Sequence, residues 1–336
     1  MKEYFLFLPL LASFLVSLLL LPSWIRRAQN AGLVGKDMNK PYKVMVAEAG
    51  GVTVIAGFVI GVLSYIALKT FYFQSTTNVL ELFALMSLIL IVAFIGMIDD
   101  LLGWKMGLSK KVRIVLVAFA SIPLIVINAG SSTIDMPFLS GMNLGMLYPL
   151  LIIPLGVVGA STTFNFLAGY NGLEARQGIL LLGALALAAY FTGSSWIAVV
   201  LACMLLSLSA FLIFNHTPAR VFPGDIMTYS IGALIGASAV LGNIEKFAVF
   251  IFIPNILEVL LKLRGKLKKE SFAQPLSDGS LELKDGKIYG LEHAALVLLK
   301  KWKKKVYEND VVLAINIFQI LFIIFGFILF RGGIFG

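Results

Sequence analysis

Long apolar runs separated by short polar connections make up most of this chain. A helix needs about 20 mainly apolar residues to cross about 30 Å of hydrocarbon, and most of these runs approach that length. The longest stretch, 178–214, would extend about 55 Å as one helix, so we divide it at the polar residues 192–195. The pattern predicts an all-α membrane protein with about ten transmembrane helices. We place the spans near 4–25, 46–68, 79–98, 112–128, 146–164, 179–193, 195–214, 226–244, 246–261 and 311–330.

The composition excludes an ordinary soluble protein. Hydrophobic residues make up 59% of the 336 residues, charged residues only 13%, and the mean hydropathy is +0.94, whereas soluble domains contain about 25% charged residues. The first run, 4–25, has the length of a full span rather than that of a signal-peptide core. Cys203 is the only cysteine, which excludes an intrachain disulfide. We therefore treat residues 1–336 as one polytopic membrane domain, in which 262–310 form a cytoplasmic loop region.

The positive charges indicate the orientation of the predicted spans. Most of the 27 Lys and Arg residues lie in the connections that follow the odd-numbered spans, whereas 70–78, 129–145 and 193–195 contain none. Because positive residues remain on the cytoplasmic side, we expect the odd connections in the cytoplasm and both termini outside. The compact chain, without long lumenal insertions, resembles a prokaryotic plasma-membrane protein. The net charge of +9 is then a consequence of topology and requires no nucleic-acid partner.

Two adjacent carboxylates, Asp99 and Asp100, follow the apolar run of the third span. Neighbouring acids at a membrane boundary repel each other and are costly to desolvate, which favours a site that receives cations. A solvated pair that simply ends the span is the alternative. The next loop supplies Lys110, Lys111 and Arg113, which suit an anionic lipid head or a phosphate but also fit a purely topological role.

The segment 165–178 is the first of two further polar stretches on the predicted cytoplasmic side. It contains the amides Asn165 and Asn171, glycines that let a ligand approach the backbone, and Glu174 where the next helix begins. Amides at the end of a span are costly to desolvate unless a metal, a phosphate or a base satisfies them. A polar turn with a glycine-rich bend is the structural alternative.

The segment 215–225 is the second polar stretch. Its two prolines and one glycine predict a rigid loop that carries Arg220 as a cation and Phe222 as a planar face. Asp225 stands where the next span begins, a position at which an acid is also an ordinary helix cap. We interpret His216 as a hydrogen-bonded structural residue.

Together these three segments resemble the polyprenyl-phosphate N-acetylhexosamine-1-phosphate transferase superfamily. The stretches NFLAGYNGLEARQG and ARVFPGD are similar in wording and spacing to the eukaryotic and archaeal dolichyl-phosphate GlcNAc-phosphotransferases. The resemblance extends from Gly35 to the end of the chain. It implies transfer of N-acetylglucosamine-1-phosphate, or a related sugar-1-phosphate, from a UDP-sugar to polyprenyl or dolichyl phosphate, with release of UMP, as the first step of lipid-linked glycan assembly.

The resemblance also implies roles at the reaction centre. Asn165 and Asp225 would hold Mg²⁺, with Mn²⁺ as a substitute, on the nucleotide diphosphate. Asp99 and Asp100 match the aspartate pair that the family carries near the metal. The phosphate-binding lysine falls on Lys110, with the next lysine as the alternative. The sequence leaves open whether the lipid phosphate attacks directly or through a covalent aspartyl intermediate.

The substrate contacts implied by the resemblance involve four positions. Gly169 and Asn171 would meet the uracil, Phe222 would stack on it, and Glu48 would lie near the nucleotide-sugar cavity. The loop after span nine departs from the family because it lacks a histidine or His-Arg cluster, so we expect lysines to bind phosphate there as point charges. Glu174, Arg220 and two lysines of this loop complete the set. The expected substrate-binding residues are Glu48, Gly169, Asn171, Glu174, Arg220, Phe222, Lys266 and Lys268.

The loop region between spans nine and ten predicts two small elements. Asp285-Gly286 lies between two short strand-like stretches and is typical of a two-residue β-hairpin turn. The stretch 291–305 predicts a basic amphipathic helix on the inner leaflet.

Other functions make different demands on the sequence. Within the enzyme class, the alternative is a bacterial-type undecaprenyl-phosphate sugar-1-phosphate transferase. A transporter or flippase would also have about ten spans but places ionisable residues near mid-span, whereas most acids here lie at cytoplasmic ends and Glu258 is the main exception. A scaffold protein needs no amides and acids on one face. The resemblance also allows a homodimer.

Overall fold

The computed structural model describes residues 5–103, 107–130, 133–136, 139–284 and 286–335. Within these residues, eight helices are long and apolar enough to cross a membrane, which confirms the prediction of an all-α membrane protein. Five-residue π-helical segments extend α2 at its end and precede α6. The helices are α1 (Phe7–Asn30), α2 (Gly51–Ala67), α3 (Val79–Leu102), α4 (Lys110–Ala120), α5 (Ile122–Val126), α6 (Ile153–Phe166), α7 (Leu173–Phe191), α8 (Ser195–Asn215), α9 (Gly224–Leu241), α10 (Glu245–Ile251), α11 (Ile253–Arg264), α12 (Leu291–Leu299), α13 (Glu308–Leu329) and α14 (Arg331–Ile334).

Two of the predicted spans are built from consecutive short helices. The stretch 112–128 divides into α4 and α5, and 246–261 divides into α10 and α11. Pro123 and Pro254 stand in the first turn of α5 and α11. Proline has no backbone N–H to donate to the preceding turn, so it starts a helix more readily than it continues one.

The strands in the described residues form three small antiparallel pairs, each outside the helix bundle's long spans. The pair β1–β2 lies between α1 and α2, β3–β4 between α5 and α6, and β5–β6 between α11 and α12. The strands are β1 (Val34–Lys36), β2 (Met45–Ala47), β3 (Thr133–Met136), β4 (Leu139–Asn143), β5 (Gln274–Pro275) and β6 (Leu281–Glu282).

The small hairpin predicted between spans nine and ten is present, but its turn lies earlier in the chain. Strands β5 and β6 pair across residues 276–280, where the backbone N–H of Leu276 donates to the Ser280 carbonyl at 2.8 Å. Gly279 provides the left-handed backbone conformation that the turn needs, with φ of +81°. Asp285, at the predicted turn, lies outside the described residues.

The predicted amphipathic helix 291–305 ends earlier than expected, because α12 stops at Leu299 and turns follow it. Its buried residue Leu296 belongs to an apolar cluster shared with α13, whereas the residues from Lys300 to Lys305 are exposed. Like charges one turn apart destabilise a helix. The lysine-rich end therefore lacks both the packing and the charge pattern that would extend the helix.

The connections after the odd-numbered predicted spans meet at one end of the helix bundle. The backbone N–H of Phe222 donates to the Ala47 carbonyl at 2.7 Å, which joins the connection before α9 to the one before α2. The Lys110 ammonium donates to the Leu267 carbonyl at 2.7 Å, which joins the start of α4 to the loop after α11. The connections that their positive charges assign to one side of the membrane are thus neighbours in the folded protein.

Helix α9 is the most buried of the candidate spans, because 78% of the residues in its apolar stretch lie inside the protein. Gly232 and Gly236 face α6, and a Cβ atom at either glycine would lie 2.5 to 2.7 Å from a backbone oxygen of α6. Small residues at this spacing let two helices approach closely in a membrane. The packing brings the end of α6, with Asn165, beside the start of α9, with Asp225.

Helix α3 reaches the same point through another small residue. A Cβ atom at Gly96 would lie 2.5 Å from the Ile226 backbone nitrogen, so a larger side chain would push α3 away from the start of α9. One turn later, Asp99 and Asp100 arrive beside Asp225. Close helix packing therefore gathers acids and amides from three spans.

Candidate active site

A cavity of about 950 Å³ lies where the odd-numbered connections meet. Residues before α2, the ends of α3 and α6, the starts of α4, α7 and α9, and the loop after α11 all line it. Most of the predicted site residues are among these lining residues. They are Glu48, Asp99, Asp100, Lys110, Asn165, Gly169, Asn171, Glu174, Phe222 and Asp225.

Three predicted substrate-binding cations do not line this cavity. Arg220 is exposed, and its guanidinium lies 5.9 Å from the ring centroid of Phe214. Lys266 and Lys268 are also exposed. From the same loop, the structure brings the ring of Phe272 to the cavity instead.

An acid, amide and guanidinium centre occupies one part of the cavity. The Arg113 guanidinium lies 2.5 Å from the Asp225 carboxylate and 3.2 Å from the Asp99 carboxylate. The Asn165 amide nitrogen donates to Asp225 at 2.8 Å and lies 2.7 Å from the Thr228 hydroxyl. Residues predicted from separate segments, Asn165 and Asp225, are thus in direct contact.

Asp100 has a different role from its neighbour Asp99. Its carboxylate accepts the backbone N–H groups of Asp225, at 2.7 Å, and of Ile226, at 3.2 Å. These groups belong to the first turn of α9, where backbone N–H groups have no partner within the helix. Asp100 therefore caps α9 from another span and fixes the position of Asp225. Asp99 instead accepts the N–H of Leu108 and faces Arg113.

The donor set of this centre fits a hard divalent cation such as Mg²⁺. Asp99 and Asp225 supply carboxylate oxygens and Asn165 supplies an amide oxygen, which are the ligand types that Mg²⁺ prefers. Among the described residues there is no group of three or more His, Cys, Asp and Glu side chains that could enclose a metal. Mg²⁺ does not need such a group, because it usually binds one or two carboxylates plus substrate phosphates. To bind the metal, the Asn165 amide would have to rotate so that its oxygen, and not its nitrogen, faces Asp225.

Positive side chains gather on the other side of this centre. The pKa of Lys110 lies below its ordinary value, first because the side chain is partly desolvated and then because Arg113 and Lys262 are nearby cations. Arg113 and Lys262 each pair with a carboxylate and the Lys110 ammonium donates to the Leu267 carbonyl, so three cationic donors lie close together beside the acids. The arrangement suits phosphate oxygens.

The loop 167–172 forms a less charged part of the cavity. Gly169 has φ of +106°, and a Cβ atom there would lie 2.6 Å from the Phe272 ring. Its backbone N–H donates to the buried carboxylate of Glu174 at 2.8 Å. Glu174 therefore shapes this loop from the start of α7, and Phe222 and Phe272 add planar faces to the cavity wall.

Glu48 lines the cavity from the segment that leads into α2. Burial raises the pKa of its carboxyl group. Its backbone carbonyl accepts the indole N–H of Trp24 at 3.0 Å, which ties the segment to the end of α1. This bond fixes the Glu48 backbone against α1 and so keeps its side chain at the cavity wall.

Comparisons with known proteins place the chain in a family. The model of glycosyl transferase family 4 matches residues 82–243. A protein of Saccharolobus solfataricus is 39% identical over 308 residues, which cover 91% of each chain. The chain belongs to glycosyl transferase family 4. It is therefore a multi-pass membrane transferase, as the resemblance in its motifs predicted.

Other relatives show how far the family extends. A protein of Sulfolobus acidocaldarius is 34% identical over 319 residues, 94% of each chain. Both archaeal proteins are provisionally named UDP-N-acetylglucosamine–dolichyl-phosphate N-acetylglucosaminephosphotransferase. A phospho-N-acetylmuramoyl-pentapeptide-transferase of Streptococcus equi subsp. zooepidemicus is 30% identical over 257 residues, 74% of this chain and 76% of its own.

Within this family 4 transferase, three of the residues whose cavity contacts are described above were not singled out by the sequence. Arg113 stood among several loop cations, although its spacing of three from Lys110 puts both on one face of α4. Thr228 follows Asp225 by three residues and shares its helix face in the same way. Phe272 carries no local signal, because only the path of the loop after α11 brings it to Gly169.

Replacing Gly169 by alanine is expected to raise the KM for the nucleotide-sugar donor about tenfold, because the left-handed backbone is costly for alanine and the new methyl group meets the Phe272 ring. Steady-state kinetics of the purified family 4 transferase would measure it. Gly279→Ala is the matched control, since Gly279 has φ of +81° but no atom within 4 Å of a Cβ atom. Equal KM values for the two variants would exclude the proposed importance of this contact.

Proposed function

We propose that this family 4 transferase moves N-acetylglucosamine-1-phosphate, or a related sugar-1-phosphate, from a UDP-sugar to dolichyl or another polyprenyl phosphate and releases UMP. The observation that carries the proposal is the convergence of Asp99, Asn165, Asp225 and Arg113 on one cavity at the end of a membrane bundle. The names of the two archaeal relatives, matched over 91% and 94% of their lengths, support the choice of donor and acceptor.

The reaction joins two anions. A bond forms between an oxygen of the lipid phosphate and the β-phosphorus of the UDP-sugar, while the bond from that phosphorus to the bridging oxygen breaks and UMP leaves with that oxygen. The barrier is largely charge repulsion and positioning. Lys110 and Arg113 reduce the repulsion by donating to phosphate oxygens in the cavity.

The acids and the amide would hold the metal in this proposal. Mg²⁺, or Mn²⁺ in its place, would be bound by Asn165 and Asp225 with Asp99 nearby, and it supplies neutralisation of the diphosphate charge. Arg113 contacts both carboxylates and so offsets part of their negative charge. A guanidinium carries five N–H donors, and both carboxylates contact the same nitrogen, so Arg113 can hold them and still donate to phosphate oxygens.

Direct attack is favoured over a covalent aspartyl intermediate. Asp100 already accepts two backbone N–H groups, and Asp99 accepts one and faces Arg113. A nucleophilic carboxylate needs a free oxygen near the phosphorus. Purified protein incubated with UDP-sugar and no lipid is therefore expected to release no stoichiometric burst of UMP. A burst equal to the enzyme concentration would support the covalent route.

We place the site on the cytoplasmic face because the loops that form it carry most of the Lys and Arg residues. The lipid phosphate has a short path to it. Leu101 and Leu102, which follow the aspartate pair on α3, are 61% and 46% exposed, and Leu101 also lines the cavity. Apolar side chains exposed beside a polar cavity suit the first isoprene units of a prenyl chain.

A bacterial-type undecaprenyl-phosphate transferase is the second candidate. The 30% identity to the Streptococcus phospho-N-acetylmuramoyl-pentapeptide-transferase favours it. The two candidates share the reaction centre and differ in the sugar and the lipid.

A panel of UDP-sugars assayed against dolichyl phosphate and undecaprenyl phosphate separates these candidates. Purified protein in detergent with Mg²⁺ and dolichyl phosphate is expected to release UMP from UDP-N-acetylglucosamine and to form a lipid-linked sugar diphosphate. Turnover with UDP-N-acetylmuramoyl-pentapeptide and undecaprenyl phosphate alone would support the bacterial type. Release of UDP instead of UMP, or no release from any UDP-sugar, would contradict the proposed reaction.

A further inference from the structure

A network of amides and acids surrounds the less charged part of the cavity. The side-chain amide of Asn171 donates to the Asp37 carboxylate at 2.9 Å, and its backbone N–H donates to the Glu308 carboxylate at 2.9 Å. The Asn39 amide donates to the Gly169 carbonyl at 3.0 Å and lies 3.4 Å from Glu308. These side chains are almost completely buried, so their hydrogen-bond directions are fixed by one another.

One lysine contacts both acids of this network. The Lys40 ammonium bonds to Glu308 and lies 3.6 Å from the Asp37 carboxylate. Asp37 also accepts the backbone N–H of Asn39 at 3.2 Å. Both carboxylate oxygens of Asp37 therefore act as acceptors, Oδ2 for the Asn171 amide and Oδ1 for the Asn39 N–H.

The accepting oxygens of Asp37 determine which way the Asn171 amide points. The NH₂ group of Asn171 donates to Oδ2 of Asp37, so the C=O group at the other end of the amide points away from it. Asn171 lines the cavity. The amide oxygen is therefore available as an acceptor to whatever binds there.

The position of this acceptor suits the nucleobase of the donor. The phosphate-binding cations Lys110 and Arg113 and the carboxylates that contact Arg113 lie in another part of the cavity. Around Asn171 the wall contains a glycine loop and planar aromatic faces, and its carboxylates, those of Asp37 and Glu174, already accept N–H groups of the protein. Aromatic faces and amide groups are suited to stack on a base and to hydrogen-bond its edge.

We propose that Asp37 is a specificity-determining residue that selects uracil over cytosine by fixing Asn171 as a hydrogen-bond acceptor. Uracil carries an N–H donor at N3, whereas cytosine has an acceptor at N3 and would face the amide oxygen lone pair to lone pair. A site built to hydrogen-bond a substrate N–H strongly rejects an analogue that lacks it. The inference rests on the proposed function, since it takes a UDP-sugar as the donor.

The experiment measures the binding of UMP and CMP to purified full-length protein in detergent with Mg²⁺, by isothermal titration calorimetry. The original protein is expected to bind UMP at least about 30-fold more tightly than CMP. In Asp37→Asn, the new amide can donate or accept, so Asn171 can turn and the preference is expected to fall to about threefold or less.

A swap variant distinguishes this role from a merely structural one. In Asp37→Asn combined with Asn171→Asp, the amide at 37 donates to the carboxylate at 171, which again presents only acceptors to the cavity. The preference for UMP is expected to return toward that of the original protein. Asp278→Asn, which removes a carboxylate paired with Lys305 in the β5–β6 hairpin, is the charge control and should leave the ratio unchanged.

The outcomes separate this inference from the proposed function. If the original protein does not prefer UMP over CMP, the proposed UDP-sugar donor is wrong. If it prefers UMP and Asp37→Asn keeps the full preference, or the swap variant does not restore it, the role of Asp37 is wrong while the proposed function stands.

Discussion

Asp225→Asn is expected to lower the rate of UMP release from UDP-N-acetylglucosamine by about 10³-fold, as measured in purified protein with saturating Mg²⁺ and lipid phosphate. The substitution keeps the size of the side chain. It still lets the Asn165 amide donate to residue 225 and contact the Thr228 hydroxyl. It removes the negative charge that faces Arg113 and would bind the metal. The loss should appear mainly in kcat, because the charge acts on the diphosphate as the reaction proceeds.

Asp310→Asn is the matched control for this loss. Asp310 also stands in the first turn of a membrane helix, α13, but it pairs with Lys303 at 2.6 Å and does not line the cavity. Its substitution is expected to change kcat by less than about twofold. Normal Mg²⁺-dependent release of UMP by Asp225→Asn would refute the metal assignment.

Arg113→Met is expected to lower kcat by about 10²-fold, and Arg113→Lys to recover only part of the loss. One guanidinium contacts carboxylates from two different spans, Asp99 on α3 and Asp225 on α9. A lysine restores the charge but not the fork of donors that bridges two groups. Steady-state kinetics at saturating donor and acceptor would measure the loss.

The dependence of activity on Mg²⁺ tells whether Arg113 acts on the same carboxylates as the metal. In Arg113→Met no guanidinium competes for Asp99 and Asp225, so half-maximal activity is expected at a lower Mg²⁺ concentration than in the original protein. Lys111→Met is the control on the same helix, because Lys111 is exposed and does not line the cavity. An unchanged or higher Mg²⁺ requirement in Arg113→Met would contradict this account of the centre.

The membrane spans could be predicted from the sequence because the solvent imposes a length. Runs such as 79–98 and 195–214 must cover the hydrocarbon core with satisfied backbone groups, and they fold as the single helices α3 and α8. Composition alone does not show where such a run breaks. Pro123 and Pro254 divide two equally apolar stretches, and the division depends on how neighbouring helices pack around the prolines.

Part of the site could be predicted because polar residues at the end of a span are costly. Asn165 and Asp225 have no reason to be there unless they contact something polar, and in the structure they contact each other. Asp100 could be singled out in the same way, but its use as a cap for α9 depends on the approach of α3 through Gly96. Such a contact is a property of tertiary packing.

The loop cations show what the sequence does not determine. Lys110 and Arg113 line the cavity from α4, whereas Lys266 and Lys268, in the loop after α11, do not. All four are positive residues in predicted cytoplasmic loops, so charge and topology treat them alike. Only the direction of each side chain in the folded protein separates them.

The most direct test of the account is to locate Mn²⁺ in a crystal structure of the protein with UDP bound, from the anomalous scattering of the metal. We expect a single anomalous peak in the cavity, beside the side-chain oxygens of Asn165 and Asp225 and the phosphates of the nucleotide. A peak away from these two residues, or UDP bound outside the cavity, would contradict the proposed reaction centre.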